Sequence, residues 1–138
     1  MRPVLDSATI ELRNLRVKDY EELKKSMVEV YSNMDAGYWS KADIKTLVSK
    51  FPDGQFCIII DGKIAGCALS IIVDYNKVDD NHKYIDIIGG ENFSTHSKNG
   101  DVLYGIDVFI HPDYRGMRLG RRLYEARKEL CEQLNLKS

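Results

Sequence analysis

The chain has 138 residues, 43% of them hydrophobic and 30% charged, which is the size and composition of one globular domain whose core needs no disulfide or structural metal. Twenty basic against 21 acidic residues leave a net charge of −1, so nothing draws the chain as a whole to nucleic acid and any anion site has to be local. No apolar run reaches the ~18–20 residues that span a bilayer, and the N-terminus lacks the continuous apolar stretch of a signal peptide.

Three cysteines, Cys57, Cys67 and Cys131, form no CxxC pair, which speaks against a zinc ribbon or a disulfide scaffold and fits a reducing, cytoplasmic setting. His82, His96 and His111 are irregularly spaced with no cysteine beside them, so no metal is expected. Alternation at Ile10 and Leu12 predicts a half-buried strand over Ile10–Leu15. Asp19 followed by Glu22 resembles a capping box, and Tyr20, Leu23, Met27, Val30 and Tyr31 recur at helical spacing, so a helix is expected to about Tyr31. Ser40 is a good N-cap for a second helix with Ile44, Leu47, Val48 and Phe51 as its buried stripe, and Pro52 ends it.

Gln55–Ile60 and Lys63–Val73 are apolar runs joined by Asp61-Gly62, a strong signal for a two-residue hairpin. A regular register sets Cys57 opposite Gly66 and points Cys57 and Cys67 to opposite faces. Asp74–Gly100 reads as a long polar excursion with one apolar piece, Tyr84–Ile88, closed by Gly89-Gly90. A strand over Val102–Ile110 follows, and HPDYRGMRLG leads into a last helix. That helix carries Leu119, Leu123, Ala126, Leu130 and Leu134 on one face, with Arg118, Arg121, Arg122, Arg127 and Lys128 around the rest. The order β-α-α-β-β-β-α with antiparallel hairpins defines a mixed α+β class and not an alternating βαβ fold.

The segment Val102–Leu123 carries the chemistry. A strand broken at His111-Pro112, a turn with Gly116 and a helix start near Arg118 present unpaired backbone N–H groups and a partial positive charge, which together bind phosphate. Arg115, Arg118, Arg121 and Arg122 add positive field at that one end, so a polyphosphate ligand is expected. The alternative is a plain turn before a solvated arginine-rich helix. GxxxxGK[ST] and GxGxxG are both absent.

DVFIHPDYRGMRLGRRLYEA resembles motif A of the GNAT superfamily of acetyl-CoA-dependent N-acetyltransferases, with Arg115, Gly116, Leu119 and Gly120 on the pattern and Arg118 where a glycine is usual. The resemblance implies the GNAT fold, largely antiparallel with flanking helices, over the single domain 1–138. The run from FSTHSKNGD to LYGIDVFIHPDYRGMRLGRRLYEARKELC is further similar to a bacterial subgroup in which such a domain is fused ahead of a carbon–nitrogen hydrolase domain.

What the resemblance implies is acetyl transfer from acetyl-CoA to an amine acceptor by direct attack in a ternary complex, with no metal. Arg115, Gly116, Met117, Arg118, Leu119, Gly120 and Arg121 would hold the pyrophosphate, and a backbone N–H among Val108, Phe109 and Ile110 would polarise the thioester carbonyl. Asp107 is the first candidate base and His96 the second. Many members carry an acidic residue one position earlier, where this chain has Ile106. Tyr38 and Trp39 stand where acceptor-site residues are often placed. A non-catalytic acyl-CoA-binding or regulatory module of a hydrolase-fused protein is the alternative. Ser138 follows soon after the motif-A helix, ahead of the family's fifth strand, so Val102–Ile110 is expected to lack a neighbour and to favour a homodimer or swapped assembly.

Overall fold

The computed structural model describes residues 10–30, 39–74, 93, 96, 97 and 99–137. It comprises β1 (Ile10–Asn14), α1 (Tyr20–Val30), α2 (Lys41–Lys50), β2 (Phe56–Ile60), β3 (Lys63–Val73), β4 (Val102–Ile110) and α3 (Leu119–Leu134). The strands form one antiparallel sheet in the order β1-β2-β3-β4, so the α+β class holds. Alternate residues of β3 serve two cores, as the two-residue period of a strand requires. Cys67, Leu69 and Ile71 pack with Leu23 and Met27 of α1 and Ile44 and Leu47 of α2. Ala68 and Ile72 pack with Leu119, Leu123 and Leu130 of α3. Among the described residues no helix is long and apolar enough to cross a membrane.

Local chemistry sets the element ends. Ser40 caps α2 as expected: its Oγ accepts from Asp43 N at 3.1 Å, and Asp43 Oδ2 accepts from Ser40 N at 3.0 Å. At α1 the expectation needs correction, because Asp19 does not pair with Glu22. Its Oδ2 accepts from Arg16 N at 2.8 Å, and both its oxygens accept from the Arg13 guanidinium at 2.8 and 2.9 Å. That bidentate bond to Arg13 holds the Asp19 carboxyl below its ordinary range. Asp61 and Gly62 have φ of 50° and 82°, the mirror-image turn that the Asp-Gly pair predicts.

The cysteine register is also corrected. Ile59 faces Ile64 and Ile60 faces Lys63, as in a regular hairpin, but the next pair is Ile58 with Gly66. Ala65 is the extra residue of a β-bulge, so Cys57 faces Cys67 and both point into the α1/α2 core. Both thiols are free. Burial pushes Cys57 up to about 11 and Cys67 well above an ordinary thiol, which keeps both protonated and inert at neutral pH.

Tyr84–Ile88 and Gly89-Gly90 lie outside the described residues. Three described residues before β4 are built into the body of the domain. Phe93 is fully buried in the α1/α2 core, its ring 5.9 Å from that of Trp39. Ile72 N donates to His96 Nδ1 at 3.1 Å, and Ser97 N donates to Ile72 O at 2.8 Å. Nearby, the Gln55 side chain accepts from Ser70 N at 2.9 Å and donates to Ser70 O at 2.7 Å and Phe51 O at 2.8 Å.

Two expectations about the C-terminal part change. Arg127 is half-buried and not on the solvated face, because Gly105 of β4 leaves room for its guanidinium; a Cβ at Gly105 would come within 2.3 Å of it. β4 also has the start of a neighbour within this chain. Leu103 N donates to Lys137 O at 2.7 Å and Lys137 N to Asp101 O at 2.9 Å, a parallel bridge beside Val102.

Gln55→Leu removes all three bonds of a buried amide and strands Ser70 N and O inside the sheet. It should destabilise the domain by about 3 kcal/mol or more in urea unfolding, at ~1–3 kcal/mol per unsatisfied group. A loss under ~1 kcal/mol would show that the amide is not what completes β3 there.

Candidate functional site

The site begins where β4 ends. His111 N donates to Ala65 O at 2.8 Å, which ties the strand end to β3. Pro112–Tyr114 then make one 3-10 turn, with Tyr114 N donating to His111 O at 3.0 Å. Two residues of positive φ reverse the chain into α3: Gly116 at 86° and Arg118 at 58°, ψ 30°. The family's usual glycine thus falls at a left-handed position, and Arg118 occupies it against the preference of an L-residue.

The first intrahelical bond of α3 whose donor lies past the cap runs from Arg122 N to Arg118 O at 3.3 Å, so the amides of Leu119, Gly120 and Arg121 precede the helical ladder. No acidic residue sits in the first turn and the Arg118 side chain does not cap it. A cleft of about 350 Å³ lies over this helix start, floored by Ile110 and Leu119 and rimmed by Arg115, Arg118 and Arg121. Met117 is partly buried against the α3 core, and a Cβ on Gly120 would meet nothing within 4 Å. Arg121 also pairs with Glu125 at 3.3 Å, an exposed contact of small energetic weight. Backbone donors, helix dipole and guanidinium groups therefore converge on one open cleft suited to phosphate oxygens.

β4 supplies the remaining expected residues. Phe109 is buried in the α1/α2 core, Val108 is exposed on the other face and Ile110 lines the cleft. A second bulge interrupts the β3–β4 ladder: Leu69 faces Asp107 and Ser70 faces Gly105, with Ile106 as the extra residue. Asp107 thereby shares the α1/α2 side with Ile106. Trp39 Nε1–H donates to Asp107 Oδ2 at 3.0 Å, while Tyr20 OH donates to Trp39 O at 2.8 Å. The structure thus brings Trp39 and Asp107 together. Tyr38 lies outside the described residues.

His96 is placed elsewhere, on the β2 side of β3 and stacked on Phe51 with ring centroids 5.2 Å apart. A neutral imidazole has one lone pair in its plane, and here Ile72 N–H takes it at Nδ1. A second histidine escaped the sequence reading as a site residue. His111 is buried, its Nδ1 accepts from Asp113 N at 3.1 Å and its Nε2 meets Glu29 Oε2 of α1. Glu29, His111 and Asp113 bring ligand-type atoms within 4.8 Å of one another. With the Nδ1 lone pair committed to Asp113 N–H, the ring proton belongs on Nε2, which is then a donor to Glu29 and not a ligand for a cation.

The antiparallel sheet ending in this strand–turn–helix defines the class of domain, and comparison gives the family. Residues 10–138 match the acetyltransferase (GNAT) family, and the chain belongs to it. It is 36% identical over 127 residues to the probable hydrolase YhcX of Bacillus subtilis (strain 168), covering 92% of this chain and 24% of YhcX. It is 27% identical over 92 residues to the uncharacterized N-acetyltransferase YkwB of the same organism, covering 67% of this chain and 41% of YkwB. The chain therefore spans less than half the length of either curated relative. Among solved structures, the loading GNATL domain of CurA from Lyngbya majuscula superposes with a TM-score of 0.73 at 25% identity, covering 91% of this chain and 59% of that one. The GphF GNAT-like decarboxylase in complex with isobutyryl-CoA superposes at 0.64 and 19% identity, covering 83% and 55%, a likeness of fold.

Arg118→Gly should relieve the left-handed strain, worth ~1–2 kcal/mol, against an unfolded-state entropy loss of ~0.5–1 kcal/mol. The expected net lies between no change and a gain of about 1.5 kcal/mol in urea unfolding, whereas Gly116→Ala, also at positive φ, should lose stability. A destabilised Arg118→Gly variant would mean that the Arg118 side chain contributes more than its backbone strain removes.

Proposed function

We propose that this domain transfers an acetyl group from acetyl-CoA to an amine by direct attack in a ternary complex. The observation that carries the reading is the cleft at the α3 start, where Leu119, Gly120 and Arg121 stand one turn beyond the end of the strand that holds Asp107. The pyrophosphate seats on those amides with Arg115 and Arg118 at the rim. The pantetheine arm then follows β4 toward Asp107, and a backbone N–H between Val108 and Ile110 polarises the thioester carbonyl. Holding both substrates there supplies proximity worth up to ~7–11 kcal/mol of the barrier.

An amine with pKa near ~10 has to lose a proton to attack. Asp107 takes that proton, and Trp39 Nε1–H orients its carboxylate. The amine nitrogen then bonds to the carbonyl carbon, the C–S bond breaks, and the proton that the nitrogen sheds on becoming an amide passes to the departing sulfur, so CoA leaves as the thiol. His96 is not the base in this scheme, since its lone pair is committed to Ile72 N–H. Similarity to a protein named a probable hydrolase, of which this chain covers 24%, supports a further proposal. The domain works as one part of a hydrolase-fused protein, in the cytoplasm, and association as a homodimer or swapped assembly is carried through β4 and its flank.

Gly120→Glu tests the cleft. An acidic residue in the first turn favours the helix through its dipole, and nothing within 4 Å obstructs its Cβ, so the variant should fold at least as stably as wild type. Its CoA affinity by calorimetry should nevertheless fall about tenfold or more through repulsion at the phosphates, while Lys128→Ala stays within about twofold. Equal affinities in the two variants would remove the phosphate from this cleft.

Asp107→Asn tests the base. With an amine acceptor that the protein acetylates, kcat should drop about 10²-fold or more with little change in CoA affinity. The acid limb of the kcat/KM profile should vanish with it. A retained acid limb would assign the proton to another group.

A further inference from the structure

We propose that Glu29 is a positioning residue for the phosphate-binding turn, acting through His111. The inference rests on the acyl-CoA reading above. A cavity of about 380 Å³ separates α1 from the β2–β3 turn and the end of β4. The charged or titratable groups that line it with His111 are Glu22, Lys25 and Glu29 from α1, Lys63 from β3, and Asp113 and Tyr114 beyond β4. Glu22 and Lys25 pair with each other at 3.1 Å, and the carboxylate on the imidazole is that of Glu29.

The two ring nitrogens of His111 do different work. Nδ1 accepts from Asp113 N at 3.1 Å and so caps the turn Pro112–Tyr114. Nε2 carries the proton and donates it to Glu29 Oε2. The carboxylate therefore acts with the Asp113 N–H to favour the tautomer that leaves Nδ1 bare. In the other tautomer Nδ1–H confronts Asp113 N–H and the turn loses its cap, while Asp113 Oδ2 lies 3.8 Å away, beyond hydrogen-bond distance. The turn runs straight into Arg115 and Gly116, so its capped form is the one that presents the α3 amides to phosphate. A ligand that binds only that form loses apparent affinity in proportion as the form is depopulated.

The test follows the ring nitrogens of His111 by ¹⁵N NMR at pH 8 together with CoA binding by calorimetry, in wild type, Glu29→Ala and Glu29→Gln. In wild type Nδ1 should be bare and Nε2 protonated. Glu29→Ala should mix the tautomers and weaken CoA binding about fivefold, the equivalent of one ordinary hydrogen bond. Glu29→Gln, whose amide oxygen accepts the same Nε2–H, should restore both readouts. A wild-type proton on Nδ1, or an alanine variant with wild-type tautomer and affinity, overturns the proposal. If wild type itself fails to bind CoA, the acyl-CoA reading falls instead, and the tautomers of the three proteins still decide whether Glu29 sets the ring of His111.

Discussion

β3 is buried over every residue but Lys63, so its backbone N–H and C=O groups all have to find partners inside the protein. β4 satisfies one side along its length, but β2 spans only five residues against the eleven of β3. The β2 pairing ends at Ala68, and beyond it the partners found among the described residues are the Gln55 side chain, the His96 ring and the Ser97 amide. The Gln55 amide pairs with both backbone groups of Ser70, and His96 with Ser97 does the same for Ile72. This requirement explains why a fully buried glutamine and a half-buried histidine are built against an otherwise apolar strand. It also decides chemistry, because an imidazole used as a backbone acceptor has no lone pair left for a proton from substrate.

Bulges act on β3 from both sides and settle which side chains share a face. Ala65 turns Cys57 and Cys67 toward each other, and Ile106 turns Asp107 toward Trp39. A bulge moves every later side chain by one position, so a single extra residue changes the face of a whole strand end. The carboxylate on β4 is thus set by packing across the sheet as much as by its place in the chain.

Much of the fold was legible because its signals are local. Ser40 as an N-cap, the Asp61-Gly62 turn, Pro52 and the periodic apolar residues each act within a few positions of themselves, and each led to the element found there. The strand, turn and arginine-rich helix start were likewise readable at the candidate site. What escaped reading depends on distant partners. Ala65 and Ile106 look like any strand residue until their neighbours choose a register. Phe93 is one aromatic in a polar stretch, yet it fills the α1/α2 core. Glu29 reads as an ordinary exposed acid on α1 until the end of β4 brings His111 against it.

His111 is where the two halves of the domain meet. Its backbone amide is bound to β3 at Ala65, its Nε2 to α1 at Glu29, and its Nδ1 to the turn that leads into α3. On one side of that junction β4 carries Asp107 against Trp39 and the α1/α2 core; on the other, α3 begins with Leu119, Gly120 and Arg121 lining the cleft. Both ends of an extended ligand would therefore be referenced to one strand, and positional error in either end would be set by the stiffness of the short turn between them. A reaction that draws much of its rate from alignment needs its fixed points coupled in this way. The left-handed residue Arg118 lies just past that turn, so the strain it holds is stored in the segment whose geometry the site depends on.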